Sequence, residues 1–164
     1  MDSLDPNALA EAAAAQLRGS DPNASAWVSA SAGSGKTKVL RDRVLRLLLA
    51  GVEPSRILCL TYTKAAAAEM SNRIAQTLAE WAAIDDDLLR AELRKLAAGA
   101  DIKALMPVAR RLFARVLDTP GGMKIETIHA FCQSLLRRFP LEANVAPHFD
   151  LIEERDAATL LREA

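Results

Sequence analysis

The first residues of this sequence that are suited to binding or catalysis lie in a glycine-rich stretch, WVSASAGSGKT, at residues 27–37. Gly33 and Gly35 allow the backbone to turn tightly and to approach a phosphate closely, so that successive N–H groups can point at one anion. Lys36 adds a positive charge for the β- and γ-phosphates, and the Thr37 hydroxyl can bind Mg²⁺. The stretch is therefore typical of a loop that binds a nucleoside triphosphate, and we expect Lys36 and Thr37 to act in catalysis.

The elements on either side of this loop are those that a phosphate-binding loop needs. Residues 26–29 read as a short strand that enters the loop, and apolar residues after it recur at helical spacing as far as Gly51. A helix that begins in the loop turns the positive end of its dipole toward the phosphates. Ala30 occupies the position that the first glycine of this pattern usually holds. The nucleotide-binding residues predicted within the loop are Ala30, Ser31, Ala32, Gly33, Ser34, Gly35, Lys36 and Thr37.

The carboxylates that hydrolysis requires are not evident in the sequence. A second metal-holding acid usually follows a buried strand, often as Asp-Glu, and no Asp-Glu dipeptide occurs. The apolar run at residues 57–61 is typical of a parallel strand buried on both faces, but it ends without an acid. Asp85–Asp87 and Asp150 read as caps or solvated loops. We therefore expect the chain to be an N-terminal piece of a longer protein that does not hydrolyse nucleotide by itself.

The order of the remaining elements favours an α/β fold with a parallel sheet. Thr63 can cap a helix with an apolar stripe, and a helical stretch follows that ends at Pro120-Gly121-Gly122. A short strand at 124–127 precedes a helix that Pro140 stops. The predicted units are a phosphate-loop core at 1–81, a helical insertion at 82–122, a return to the core at 123–140 and the start of a further helical subdomain at 141–164.

Composition limits the class of protein. Lysine plus arginine (21) balances aspartate plus glutamate (21), so no overall positive charge attracts nucleic acid and any polyanion site must be local. Cys59 and Cys132 have no metal-ligand spacing and are expected to be buried, reduced thiols. The acidic start of the chain and the lack of a long apolar run predict a cytoplasmic protein without a membrane segment.

Two other functions fit the phosphate loop. A small-molecule kinase would need an arginine-rich helical lid, for which Arg110, Arg111 and Arg115 are the nearest candidates. A non-enzymatic nucleotide-binding module would keep the loop without chemistry, because phosphate-loop folds host many functions.

Three ordered segments resemble the motifs of superfamily 1A DNA helicases of the UvrD/Rep type. ASAGSGKT resembles motif I, LTYTKAAAAEMSNRI at 60–74 resembles motif Ia, and TIHAF at 127–131 resembles motif Ib. Within this family the likeness is greatest to the N-terminal part of the AddA type, a helicase-nuclease subunit of double-strand-break repair. The resemblance implies a RecA-like motor domain 1A with the start of 1B, which uses ATP and Mg²⁺ to move 3′→5′ along DNA. It also implies an AddB-like partner protein.

The resemblance assigns roles to residues outside the loop. Gln16 would read the adenine edge, and Lys38 stands where the family often has an arginine near the nucleotide. Tyr62 would stack on a base of the single strand. The remaining predicted DNA contacts, all to the sugar–phosphate backbone, are Thr61, Thr63, Thr127 and His129.

Overall fold

The computed structural model describes the backbone of residues 6–29, 31, 33, 35–146 and 148–149, and within these ranges the side chains from residue 10 onward. The predicted site residues Ala30, Ala32 and Ser34 lie outside the described part, as does Asp150.

Helices dominate the described residues. In chain order the helices are α1 (Pro6–Gly19), α2 (Lys36–Leu49), α3 (Lys64–Ala83), α4 (Asp86–Leu96), α5 (Ile102–Asp118) and α6 (Ile128–Arg138). The two strands, β1 (Leu58–Thr61) and β2 (Lys124–Thr127), pair in a parallel two-stranded sheet.

Polar caps define where several helices begin, as the sequence predicts. The Thr63 hydroxyl accepts a hydrogen bond from the Ala66 N–H at the start of α3, and the Asp85 carboxylate accepts two from the first turn of α4. Asp101 caps α5 in the same way. Each cap satisfies N–H groups that have no partner inside the helix, which is worth about 1 kcal/mol. The boundaries of these helices are thus set by interactions between residues only a few positions apart.

The chain divides into two compact units, residues 1–126 and 127–164. The first unit has a hydrophobic core in which α2, α3, α4 and α5 pack together on one face of β1. Its fully buried side chains include Leu48, Ile74 and Leu89. Since α4 and α5 contribute to this same core, the predicted helical insertion packs directly on the helices that carry the loop.

Two strand predictions differ from the structure. Residues 26–29 do not form a strand, and the Trp27 side chain is 96% exposed. A strand needs a hydrogen-bonded neighbour, and within the described residues β1 pairs only with β2. The run at 57–61 is covered on one face only, because Cys59 is buried whereas Leu58 and Leu60 are 42% and 40% exposed. Within the first unit, the described helices pack on a single face of β1.

The second unit contains α6. This helix ends at Arg138, close to the predicted stop at Pro140. Its apolar residues recur at helical spacing as predicted, but none of the residues of α6 is buried. Cys132 is therefore exposed, so the prediction of a buried thiol is wrong for Cys132 and confirmed for Cys59.

Candidate nucleotide-binding site

The phosphate loop ends at a position that only glycine suits. Gly35 is the N-cap of α2 and has φ 91° and ψ 18°, in the left-handed region. Gly33 also has a positive φ of 80°. A residue with a Cβ would lose about 1–2 kcal/mol in this conformation. Gly35 provides no side-chain cap for α2, and the start of this helix is the positive end of its dipole, where an anion is favoured.

Lys36 is the first residue of α2, and its side chain turns back over the loop. Its Nζ donates a hydrogen bond to the carbonyl oxygen of Ser31, 2.8 Å away and five residues earlier. The ammonium therefore lies across the loop. Thr37 follows in the first turn of α2 with an exposed side chain. Two left-handed glycines, an uncapped helix start, an ammonium and a hydroxyl form a donor set that fits a magnesium-bound phosphate chain.

Gln16 lies against the loop although it is far from it in sequence. A Cβ atom built on Gly35 would lie 3.0 Å from the Gln16 Nε2, so the amide occupies the space over this glycine. The structure thus brings together the loop and the residue to which the family resemblance assigns adenine recognition. An amide can donate and accept at once, as the edge of adenine requires.

Two arginines of α2 hold α1 and the turn after it in this position. Arg46 donates to the carbonyl oxygen of Leu17 at 2.9 Å and to the Ser20 hydroxyl at 3.0 Å. Arg43 donates to the carbonyl oxygens of Asp21 and Ala24. This role was not predicted from the sequence. The only signal was the polar turn at residues 19–25 before the loop, whose carbonyl groups need donors.

Lys38 forms an ion pair along α2. Its Nζ lies 2.7 Å from a carboxylate oxygen of Asp42, whose other oxygen accepts from Arg41 at 2.8 Å. Asp42 is buried, and two cations compensate its charge. Asp42 was not among the predicted site residues. Its position four residues after Lys38 is the spacing at which helical side chains meet, which is the signal that could have found the pair.

A cleft joins the loop to the end of β1. It has a volume of about 230 Å³ and is lined by Lys36, Thr37, Leu40, Leu60, Thr61, Ala66, Glu69 and Met70. Motif I and motif Ia therefore share one cleft in the first unit. The carboxylate in it, Glu69, pairs with Arg73 at 2.5 Å along α3. No sequence pattern selects this glutamate, because it belongs to a helix and not to a strand end.

The segment after β1 presents one aromatic ring at the surface. Tyr62 is 80% exposed. The hydroxyls on either side have local partners, since Thr61 Oγ1 donates to the Thr63 carbonyl oxygen and Thr63 Oγ1 caps α3. In the second unit, Thr127 caps α6 by accepting from the Ala130 N–H, and His129 is exposed.

The arginines proposed for a kinase lid are engaged elsewhere. Arg110 donates to the Trp81 carbonyl oxygen and pairs with Asp86 at 2.7 Å, which ties α5 to the α3–α4 connection. Arg115 pairs with Glu53, and Arg111 donates to a carbonyl of its own helix. The contacts of Arg110 and Arg115 fix the packing of α5, and none of the three arginines lines the cleft beside the phosphate loop.

Two kinds of feature are absent from the described residues. No cluster of three or more histidine, cysteine, aspartate or glutamate side chains in this part of the chain could hold a metal ion. Among the same residues, no helix has the length and apolar character needed to cross a membrane.

Comparison with known protein families identifies the family of this chain. The UvrD/REP helicase N-terminal domain matches residues 10–164. The chain belongs to this helicase family. The resemblance predicted from motifs I, Ia and Ib is thus confirmed.

Relatives of this helicase domain include proteins named as ATP-dependent helicase/nuclease subunits. The protein from Lactobacillus acidophilus is 37% identical over 83% of the chain, and that from Enterococcus faecalis is 36% identical over 83%. The protein from Lactobacillus helveticus is 38% identical over 83%. The chain spans 10%, 9% and 10% of the length of these relatives, respectively.

Proposed function

We propose that this chain is the ATP-binding N-terminal part of an ATP-dependent DNA helicase of the AddA helicase/nuclease type. The full-length protein would move 3′→5′ along single-stranded DNA in double-strand-break repair and recombination. The observation that carries the proposal is the phosphate loop, with left-handed Gly33 and Gly35 and the Lys36 ammonium over the loop, in a member of the UvrD/REP family. A RecA-like, phosphate-loop fold for the complete domain is part of the proposal.

The loop residues have distinct tasks in this mechanism. The N–H groups at the start of α2 bind phosphate oxygens, and Lys36 exchanges its bond to the Ser31 carbonyl for a phosphate. Thr37 would hold Mg²⁺ through its hydroxyl, and the ion would neutralise charge on the phosphates. Gln16 orients the adenine, because its amide is already held beside Gly35.

The DNA-binding part of the proposal begins where α3 begins. Tyr62 offers an exposed ring on which any base can stack, which suits a motor that does not select sequence. Thr61 and Thr63 would bond phosphate oxygens beside it, and Thr127 and His129 would do so from the second unit. The cleft beside the phosphate loop supports a link between ATP binding and DNA binding. Glu69 of α3 lines this cleft, and it follows the proposed DNA contact Thr63 by less than two helical turns.

In this proposal, several groups needed for ATP hydrolysis and for DNA processing belong to the full-length protein. A metal-holding carboxylate and an arginine finger complete phosphate-loop motors, and we propose that other parts of the full-length protein supply both. The nuclease activity and the AddB-like partner rest on the same resemblance. The domain boundaries at 81, 122 and 140 also stay predictions.

Hydrolysis of ATP by the full-length protein tests the proposal. We expect activity that single-stranded DNA stimulates, and a loss of about 100-fold or more in Lys36→Ala, since a preorganised charge at the reacting phosphate is worth that much. Lys103→Ala, at an exposed lysine of α5, is the matched control. Full activity in Lys36→Ala would contradict the proposal, as would turnover by the isolated 164-residue chain.

The ATPase assay, together with a nucleotide-binding titration, distinguishes the helicase from the small-molecule kinase and the non-enzymatic module. Consumption of ATP that depends on a small hydroxyl acceptor and ignores DNA would support a kinase. A module without chemistry would show no turnover under any condition, and saturable binding of a fluorescent ATP analogue that Lys36→Ala leaves unchanged would place nucleotide binding outside the loop.

A further inference from the structure

A second cavity lies beside the phosphate loop, between three helices. Its volume is about 300 Å³, at the lower end of the range of about 300–1,000 Å³ that small-molecule sites occupy. The lining residues come from α1 and the turn after it, from α2, and from α4: Ala13, Gln16, Leu17, Ser20, Lys38, Asp42, Lys95 and Leu96. Of these helices, α4 lies in the insertion between motifs Ia and Ib.

The cavity and the loop share two bordering residues. Gln16 places its amide nitrogen 3.0 Å from the Cβ position of Gly35 and also lines the cavity. Lys38, another lining residue, directly follows Thr37 in α2. Gln16 therefore connects the loop, where the phosphates would lie, with this cavity, into which the nucleoside end would extend.

The walls of the cavity suit a flat, apolar group with a polar edge. Ala13, Leu17 and the buried Leu96 supply apolar surface. The hydroxyl of Ser20 is occupied, since it donates to the Leu17 carbonyl and accepts from an arginine of α2. The Gln16 amide can pair with the N6 donor and N7 acceptor of adenine, whereas guanine presents two acceptors at this edge. The cavity therefore favours adenine over guanine.

We propose that the end of α4, Lys95 and Leu96, forms one wall of the base subsite, so that nucleotide affinity depends on the helical insertion. The inference rests on the proposed ATP-binding function. Leu96 is anchored in the core and presents a fixed surface. Lys95 pairs with Glu92 at 3.0 Å in an exposed ion pair of little energetic value, so its ammonium can exchange that partner for a ribose hydroxyl.

Calorimetric titration of the full-length protein with Mg-ATP and with Mg-tripolyphosphate tests this assignment, because tripolyphosphate has the phosphates without base or sugar. Ala13→Leu, which fills the cavity, and Lys95→Ala are both expected to lower the affinity for ATP, by about tenfold for the former. Neither is expected to change the affinity for tripolyphosphate. Unchanged affinity for ATP in Lys95→Ala would overturn the inference.

Two control variants test whether Lys95 itself contacts the nucleotide. Glu92→Gln removes the ion-pair partner of Lys95 and keeps the lysine, so it should bind ATP as the wild type does. If it lowers ATP affinity as much as Lys95→Ala, the direct role of Lys95 is overturned. Lys36→Ala should weaken both ligands. Wild-type protein that binds neither ligand would refute the proposed function and this inference with it, whereas binding of both with no effect at α4 refutes the inference alone.

Discussion

At the scale of single residues, Gly35 combines a backbone requirement with a packing requirement. Its positive φ disfavours any residue with a Cβ, and the space that a Cβ would enter is held by the Gln16 amide. Lys36 is held over the loop by its bond to Ser31. These contacts put the proposed anion site of the loop and the amide proposed to read adenine next to each other in the absence of nucleotide.

Replacement of Gly35 by alanine, compared with the same change at Gly51, separates the effect on stability from the effect on ATP binding. We expect Gly35→Ala to lower the free energy of unfolding by about 1–2 kcal/mol and also to weaken ATP binding, because the new methyl group displaces the Gln16 amide. Gly51→Ala is the matched control, since Gly51 has a φ of 87° and nothing within 4 Å of its Cβ position. It should lose similar stability with unchanged ATP affinity. Urea unfolding and calorimetry measure the two quantities, and equal ATP affinities in the two variants would contradict this account.

The ring of Tyr62 gives a second prediction at this scale. Tyr62→Ala in the full-length protein should weaken binding of single-stranded DNA by about 1–3 kcal/mol, the usual worth of a stacked base. Tyr62→Phe keeps the ring and should bind nearly as the wild type does. Fluorescence anisotropy with a labelled oligonucleotide measures the difference, and an unaltered affinity in the alanine variant would remove Tyr62 from the DNA site.

At the scale of elements, helix starts carry much of the proposed site. α2 begins at the phosphate loop, α3 begins just after the segment with Tyr62, and α6 begins just after its cap Thr127. A cap and a phosphate contact use the same kind of group, a polar side chain beside free N–H groups at the positive end of a helix. A single threonine can therefore have a structural and a functional role.

The pair Thr63→Asn and Thr63→Asp separates these two roles. Both side chains cap helices well, so both variants should unfold within about 0.5 kcal/mol of the wild type, whereas Thr63→Ala should lose about 1 kcal/mol. The aspartate places a negative charge where a DNA phosphate is expected, so it should weaken DNA binding more than asparagine does, and most at low salt. Equal DNA affinities at low salt for these two variants would exclude a phosphate near residue 63.

At the scale of the whole molecule, one core connects the loop to the insertion. α2 and α3, which carry motif I and motif Ia, pack with α4 and α5 around buried side chains such as Leu45, Leu78 and Leu93. The opposite face of β1 carries the half-exposed Leu58 and Leu60. The core therefore stabilises one side of the sheet and fixes α4 beside the phosphate loop.

Cys59 lies buried in this core, so the ionisation of its thiol depends on whether the core is folded. Burial raises the pKa of Cys59, which means that the unfolded state releases its proton at lower pH than the folded state does. The resulting stability is complete below the unfolded pKa and is lost as pH rises through the folded pKa. We expect the free energy of unfolding of the 164-residue chain to fall as the pH rises above about 8.5, the usual pKa of an exposed thiol, and to fall less in Cys59→Ala.

Reaction with iodoacetamide checks the same point without unfolding. In the native 164-residue chain the exposed Cys132 should be alkylated quickly, while Cys59 should react only after urea is added. Peptide mass spectrometry assigns each product. Comparable native rates at the two cysteines would contradict the burial of Cys59.

The sequence by itself determined those features whose physics is local. The phosphate loop, the caps of Thr63 and Asp85, and each single motif depend on residues a few positions apart, and the family followed from the motifs and their order. The apolar run at 57–61 located β1, but not how many of its faces are covered, because that depends on distant helices.

Only the tertiary structure decided which distant groups surround the loop. The Gln16 amide lies over Gly35 because Arg46 holds the turn after α1, and Lys95 lines a cavity with Gln16 because α4 packs in the core of α2 and α3. These neighbours are separated by many positions along the chain. Helical periodicity identifies the side of a helix that is buried, but not the helix that covers it.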